Sequence, residues 1–221
     1  MLLGARDNSA TNIASIQGAR MRNTLQRALT GMVLATALAA LSTTGVAHAQ
    51  AMRVSDERGD VRSFDTETDE PTTHDPAVRN GDVLRSVLRH ASRRISVRVK
   101  FVDLQRTGDL GGYVARVVTN EAVRRNITII AGPGMWRGES DMTRPNGPSV
   151  RCSIKHRIDY TGNIVTLSFP RSCVSSPRWV RLGAASVWSN GSGGEYFVDD
   201  AQISGRIHPD TVRLSPRLRR G

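Results

Sequence analysis

Residues 152–173 read CSIKHRIDYTGNIVTLSFPRSC, and this stretch decides the predicted fold. Apolar and polar residues alternate on both sides of a turn-like Thr161-Gly162-Asn163, as in two half-buried β-strands joined in a hairpin. If Cys152 faces Cys173, three further apolar pairs share their side: Tyr160 with Val165, Ile158 with Leu167, and His156 with Phe169. A shift of one residue would mix the two faces, so this register is the one we predict.

The cysteine pair closes the open end of this hairpin. Cys152 and Cys173 are the two cysteines of the chain, and no Cys-x-x-Cys motif or nucleophile context surrounds either thiol. Facing strand residues have Cα separations that suit a disulfide bond. A bridge that constrains a loop of about 20 residues is worth about 3 kcal/mol in the chain-entropy model. We therefore predict a structural disulfide and no redox site.

A disulfide requires an oxidising compartment, and residues 21–49 indicate one. This segment has a basic start, a charge-free apolar run over 28–41, and a small-x-small end at 47–49. These are the three parts of a cleavable, helical secretory signal peptide, and the apolar run is too short to span a bilayer. The alternative is a buried core helix. We expect cleavage after Ala49 and a secreted protein without a transmembrane anchor.

The remaining residues fall into three parts. Residues 1–20 precede the basic start and show no useful periodicity, so they are dispensable or Met21 is the true start. Residues 50–80 form an acidic leading segment with eight acidic and four basic residues. Residues 81–221 hold 23 basic and 11 acidic residues and are predicted to form the folded domain, as a monomer.

The basic balance of this domain suggests an anionic partner such as a cell-wall polymer, because a basic surface attracts polyanions. That hypothesis requires the outward residues Arg98, Lys100, Lys155 and Arg157 to share one continuous face. The alternative needs no partner, because nearly all the bases are arginines, as a GC-rich coding sequence would give. The chain has no specific nucleic-acid motif.

Further segments alternate like the hairpin. The segment 95–101 is a half-buried strand by this pattern, and 82–90 fits a strand or a helix face; we predict a strand, because 91–94 suits a hairpin connection. Other predicted strands are 113–118, 126–130, 179–188, 196–198 and 211–214. Seven to nine short strands with frequent turns predict an all-β fold, an antiparallel β-sandwich of jelly-roll or immunoglobulin-like type.

Three short acidic motifs frame this domain: Asp56-Glu57-Arg58-Gly59-Asp60, Gly81-Asp82-Val83 and Asp199-Asp200-Ala201. Together they resemble exported bacterial β-sandwich modules of the DOMON and related carbohydrate-binding type. The resemblance implies a non-catalytic binding module; some members hold sugars, some haem and some a structural calcium. The chain departs from that group in lacking an aromatic platform and a persuasive Met/His pair for haem.

We predict no cofactor, and the alternative is a structural calcium ion, which the chemistry of the acidic residues also suggests. Ca²⁺ binds about 6–8 oxygen ligands and tolerates irregular geometry. The carboxylates could converge if the first and second strands meet at one end of the sandwich. The candidate ligands are Asp56, Asp60, Asp65, Asp82, Asp199 and Asp200. The alternative is that they are solvated or pair with arginines.

The glycine- and proline-rich stretch 131–149 is the second candidate site, because long loops in compact domains often carry function. Trp136 could stack on a sugar ring of an extracellular glycan, with Glu139, Asp141 and Arg144 beside it; loop packing of the indole is the alternative. Glu139 and Asp141 could instead serve a secreted hydrolase. Since no catalytic motif is present, we predict a secreted, non-enzymatic binding or structural module.

Overall fold

The computed structural model describes residues 49–68, 70–74, 77–145, 147–189, 194–202 and 212–221, without the side chains of 72–74. Residues 1–20 and almost all of the predicted signal peptide lie outside these ranges. Within them, no helix is both long enough and apolar enough to cross a membrane.

The described residues form thirteen β-strands and one short 3-10 helix, Arg171–Val174. The strands are β1 (Gln50–Ser55), β2 (Arg62–Asp65), β3 (Pro71–His74), β4 (Val83–His90), β5 (Arg94–Phe101), β6 (Leu110–Thr119), β7 (Arg124–Ala131), β8 (Glu139–Thr143), β9 (Lys155–Asp159), β10 (Ile164–Pro170), β11 (Trp179–Ser189), β12 (Glu195–Asp200) and β13 (Leu218–Arg219).

The strands build two antiparallel sheets in a β-sandwich-like arrangement. The five-stranded sheet has the order β1-β4-β5-β10-β9. The second sheet has the order β3-β2-β12-β11-β6-β7-β8, and β13 pairs with β11. Inward residues of both sheets, such as Leu88 and Val97 of the first and Ile129 and Leu182 of the second, belong to one buried cluster. The predicted all-β class is confirmed.

The period-two pattern explains the core. In β5, Ile95, Val97 and Val99 are buried, while Arg98 between them is exposed. Successive side chains of a strand point to opposite faces, so this alternation places one face against the core and the other in solvent. The segment 82–90, which also fitted a helix face, contains the strand β4 as predicted.

The sheets contain more strands than the predicted seven to nine. The acidic leading segment supplies β1 to the first sheet and both β2 and β3 to the second. The strand β8 lies within the stretch 131–149, which we predicted to be irregular. The predicted strand 211–214 is wrong for its described part, since 212–214 has no strand structure; the last strand is β13 instead.

The hairpin over 152–173 is present, but its register differs from the prediction by two residues. Ile158 pairs with Val165 and His156 with Leu167. The turn has shifted because the Asp159 carboxylate accepts a hydrogen bond from the Gly162 N–H (2.9 Å), and Asn163 adopts a positive φ of 48°. A shift of two residues preserves the faces, so the predicted apolar side still points to the core.

The disulfide between Cys152 and Cys173 is confirmed, with a Cα–Cα distance of 5.7 Å. It does not join facing strand residues. Cys152 precedes β9, and Cys173 lies in the 3-10 helix that follows β10. Both cysteines pack against the main core, so the bridge closes the hairpin on its buried side.

Residues 212–215, which we call the returning segment, lie against the outer face of β11 at Gly183. A Cβ at position 183 would lie 2.2 Å from the Arg213 carbonyl oxygen. We expect Gly183→Ala to lower the free energy of unfolding by about 1–3 kcal/mol, because the backbone at Arg213 must move. Gly112→Ala on the neighbouring strand is the control, since its nearest contact is an ordinary 3.5 Å. Urea unfolding of both variants measures the difference, and equal effects would contradict the close approach.

Candidate metal centre

Three acidic residues from separate parts of the chain converge between the sheets. Asp60 precedes β2, Asp82 precedes β4, and Asp199 lies in β12. One carboxylate oxygen from each lies within 4.8 Å of the other two. We call these three residues the acidic cluster. Because β4 belongs to the five-stranded sheet and β2 and β12 to the second, the cluster lies where the two sheets meet.

Backbone geometry holds the cluster in place. Gly59 and Gly81 have φ values of 79° and 84°, in a region that favours glycine, and each precedes a cluster residue. The Gly59 N–H donates a hydrogen bond to the Asp82 carboxylate (2.9 Å). The Val83 N–H donates one to Asp199. Each contact joins two of the three segments, so the approach of the carboxylates is a fixed part of the fold.

The cluster is buried, and two of its oxygens lack a protein partner. Asp60, Asp82 and Asp199 are 5%, 1% and 0% exposed. The Oδ1 atoms of Asp82 and Asp199 are buried and accept no hydrogen bond from any described residue. No described lysine or arginine lies within 4.0 Å of these two carboxylates. Buried carboxylates are normally hydrogen-bonded, paired with a cation or bound to a metal.

Burial and mutual repulsion change the acidity of these groups. The pKa of Asp199 is raised to about 9, chiefly by burial and further by the charges of Asp56, Asp60 and Asp82, and the Val83 hydrogen bond opposes this rise. Burial also raises the pKa of Asp82, opposed by the hydrogen bond from Gly59 and the charge of Arg58. The protein alone therefore disfavours full ionisation of the cluster, and a bound cation would reverse this effect.

A fourth carboxylate, Asp56, adjoins the cluster. It follows β1, and burial together with the charge of Asp60 raises its pKa to about 8. Its Oδ1 accepts a hydrogen bond from the Glu57 N–H (3.1 Å), while its Oδ2 is buried and accepts none from the described residues. Asp56 can therefore offer one further oxygen to a cation.

The other two predicted ligands have different roles. Both oxygens of Asp200 accept backbone hydrogen bonds, from Gln202 (2.9 Å) and Arg213 (2.7 Å), so this residue anchors the returning segment. The Asp65 carboxylate caps its own turn by accepting from the N–H groups of Glu67 and Thr68. The structure thus brings together three of the six predicted residues, places Asp56 beside them, and directs Asp200 and Asp65 elsewhere.

The donor set suits a hard cation. All of the converging donors are carboxylate oxygens, which Ca²⁺, Mg²⁺ and Mn²⁺ prefer, whereas Zn²⁺ and Cu²⁺ favour nitrogen or sulfur ligands. Irregular ligand positions from strand ends and turns fit Ca²⁺ better than Mg²⁺, because Mg²⁺ demands near-octahedral geometry. The cluster therefore fits a calcium ion that joins the two sheets.

The predicted glycan residues do not assemble in the same way. The half-buried Trp136 packs edge-to-face on Tyr160, with ring centroids 6.2 Å apart. Trp136 also lines a shallow depression together with Arg106, Gly134, Met135 and Arg137. Glu139, Asp141 and Arg144 do not line this depression.

The pair Glu139 and Asp141 lies on β8, the edge strand of the second sheet, two residues apart. Both residues are exposed and point to the same side of the strand. Asp141 accepts a hydrogen bond from the Ser149 hydroxyl (2.6 Å). The two carboxylates therefore share one outer surface. Acid/base hydrolysis instead uses two carboxyl groups that face each other across a cleft.

Comparison with known proteins adds no relatives: no protein-family model matches the chain, and no curated protein sequence matches it significantly. The described residues define an all-β protein with two antiparallel sheets and one disulfide.

Proposed function

We propose that the protein is an exported, non-catalytic β-sandwich module that is completed by a calcium ion and acts outside the cell as a binding or structural domain. The observation that carries the proposal is the acidic cluster, in which Asp60, Asp82 and Asp199 converge within 4.8 Å. A buried cluster of this kind is costly in a protein alone and stabilising around a cation.

Export is supported by two independent features. Residues 21–49 have the three parts of a secretory signal peptide. The Cys152–Cys173 disulfide suits an oxidising compartment. Export and calcium also fit together, because extracellular calcium sites commonly work with Kd values of about 10⁻⁴–10⁻³ M. A site of that affinity fills outside the cell.

A binding or structural role is supported by the position of the carboxyl groups whose pKa values are raised. The pKa values of Asp56, Asp82 and Asp199 are raised, and these residues link strands of both sheets. A cation bound at this position would join the two sheets and stabilise the fold.

Isothermal titration calorimetry of the chelator-treated protein with CaCl₂ tests the proposal. We expect one Ca²⁺ per chain at about pH 7.5, with protons released on binding because the cluster carboxylates must ionise. Proton release is measured by repeating the titration in buffers of different ionisation enthalpy. Asp82→Asn should weaken binding at least about tenfold, since one charged ligand becomes neutral.

Asp65→Asn is the matched control, because Asp65 carries the same side chain but binds its own turn. This variant should bind Ca²⁺ like the unmodified protein. Equal weakening by both substitutions, or no heat beyond dilution, would contradict the proposal. Mg²⁺ is titrated in parallel, and tighter binding of Mg²⁺ than of Ca²⁺ would overturn the choice of ion.

A further inference from the structure

The outer face of the five-stranded sheet is strongly basic. We call the outward side chains of β1, β4, β5, β9 and β10 the basic face. Among these outward positions eight residues are basic and one, Asp159, is acidic. Arg98, Lys100, Lys155 and Arg157 all belong to it, as the anionic-polymer hypothesis requires. The remaining basic positions are Arg53, Arg85, Arg89 and Arg94.

The bases are arranged in rows across the strands. The pairing places Arg53 opposite Val87, Val87 opposite Arg98, Arg98 opposite Thr166, and Thr166 opposite Arg157. Adjacent strands lie about 4.8 Å apart, so the three arginines are spaced at intervals of roughly 10 Å over a row of about 20 Å. All three are exposed.

The neighbouring row brings a second line of charge close to the first. Arg85 pairs with Lys100 beside the first row, and Arg53, Arg85, Arg98 and Lys100 together line a shallow depression. The Lys100 ammonium is anchored by the Gly162 carbonyl oxygen (2.8 Å). The one acidic group, Asp159, lies 3.5 Å from Arg157 at the end of the sheet. Four cations in the depression therefore have no acidic partner among the described residues.

The outer face of the second sheet lacks this strong excess of basic over acidic residues. It carries Arg116, Arg124 and Arg181, but also Glu139 and Asp141 on β8. The returning segment covers part of it at Gly183. The concentration of charge on one open face is therefore a property of the five-stranded sheet and not of arginine content alone.

We propose that the basic face binds an acidic polysaccharide, a linear glycan that carries repeated carboxylate or sulfate groups. Arginine guanidinium groups bind both kinds of anion bidentately. An open face with rows of cations suits an extended polymer that lies across the strands, with affinity from many contacts.

Three other anionic partners fit this face less well. Proteins that bind single-stranded nucleic acid use aromatic side chains as stacking platforms, and the outward positions of these five strands carry none. The base edges of duplex DNA are read by elements that enter a groove, whereas this face is an open sheet surface. Amphipathic membrane-binding surfaces insert exposed apolar side chains, whereas Val87 and Ile164 on this face are half-buried.

This inference names the partner of the proposed extracellular module, and it does not depend on calcium. The acidic cluster and the basic face share no residue. Loss of Ca²⁺ binding in Asp82→Asn therefore tests the calcium site, while retention on a polysaccharide tests the basic face. Failure of calcium binding and failure of polysaccharide binding can therefore be distinguished in the same protein preparations.

Affinity chromatography and biolayer interferometry of the full mature chain test the proposal. The probes are immobilised heparin, which is sulfated, and polygalacturonate, which is carboxylated. We expect binding at about 0.05 M salt that is lost by about 0.5 M, because exposed charge contacts are screened. The double substitution Arg53→Glu with Arg98→Glu should weaken binding about tenfold or more, since two attractive contacts become repulsive.

The matched control is Arg124→Glu with Arg178→Glu, which changes the net charge equally at exposed positions away from the basic face. It should bind like the unmodified protein. Circular dichroism and Ca²⁺ titration confirm that each variant is folded. Equal loss in both double variants would overturn the location of the site. No retention at low salt, or tighter binding to duplex DNA or to phosphatidylserine vesicles than to either polysaccharide, would overturn the partner.

Discussion

Removal of the proposed calcium ion with EGTA is expected to lower the Tm of the protein by about 5–10 °C at about pH 7.5. A ligand present at 100 times its Kd stabilises the folded state by about 2.7 kcal/mol. For a chain of this size, each kcal/mol corresponds to about 2–4 °C in Tm. The measurement is differential scanning fluorimetry with excess CaCl₂ and with EGTA.

The fall in Tm on addition of EGTA should become smaller towards pH 5. The pKa values of Asp199 and Asp56 are raised to about 9 and about 8 in the folded chain, whereas an unfolded aspartate releases its proton near its ordinary value of 3.8. Between about pH 4 and pH 9 the calcium-free folded state therefore holds more protons than the unfolded state, and its stability falls as the pH rises. At low pH the protons occupy the cluster, so calcium contributes little.

The variant Asp199→Asn distinguishes calcium binding and protonation at the acidic cluster from a general effect of salt on stability. The variant loses both a ligand and a titrating group, so its Tm should respond weakly to EGTA and less steeply to pH. Asp65→Asn should keep the full response, because Asp65 caps its own turn. If EGTA lowered the Tm of Asp199→Asn as much as that of the unmodified protein, the acidic cluster would be excluded as the calcium site.

Replacement of both cysteines, Cys152→Ala with Cys173→Ala, is expected to lower the free energy of unfolding by about 3 kcal/mol. The disulfide joins positions 21 residues apart in sequence, and opening a loop of that length increases the freedom of the unfolded chain. Both cysteines also pack against the core, so the loss of contacts adds to the effect. Urea unfolding measures the change.

Calcium titration of this cysteine variant is the accompanying control, because the acidic cluster lies in segments that the disulfide does not join. Binding of Ca²⁺ should be retained while the urea midpoint falls. Unchanged stability would show that the bridge does not constrain the unfolded chain. Loss of calcium binding in a folded variant would show that the hairpin and the cluster are coupled.

The sequence was most informative where the pattern had period two. The alternation of Ile95, Val97 and Val99 predicted β5, and the side chains of the 152–173 hairpin lie on the predicted faces. The register itself was missed by two residues, because a hydrogen bond between Asp159 and Gly162 sets the turn. Alternation cannot distinguish registers that differ by two, since the faces are the same.

The candidate sites were predictable in part. Asp60, Asp82 and Asp199 were among the six proposed ligands, because acidic residues beside strand ends meet when the strands pair. Asp65 and Asp200 were included on the same grounds, and only their backbone hydrogen bonds show other roles. The sequence did not reveal that Arg53 joins the basic face, because β1 lies in a segment predicted to lead the domain.

The position of β2 has a consequence for how the chain matures. This strand lies near the beginning of the domain, yet Arg62 pairs with Val198 near its end. Contacts between distant residues form late, because a long loop must close first. During synthesis the second sheet and the acidic cluster therefore remain incomplete until β12 has emerged.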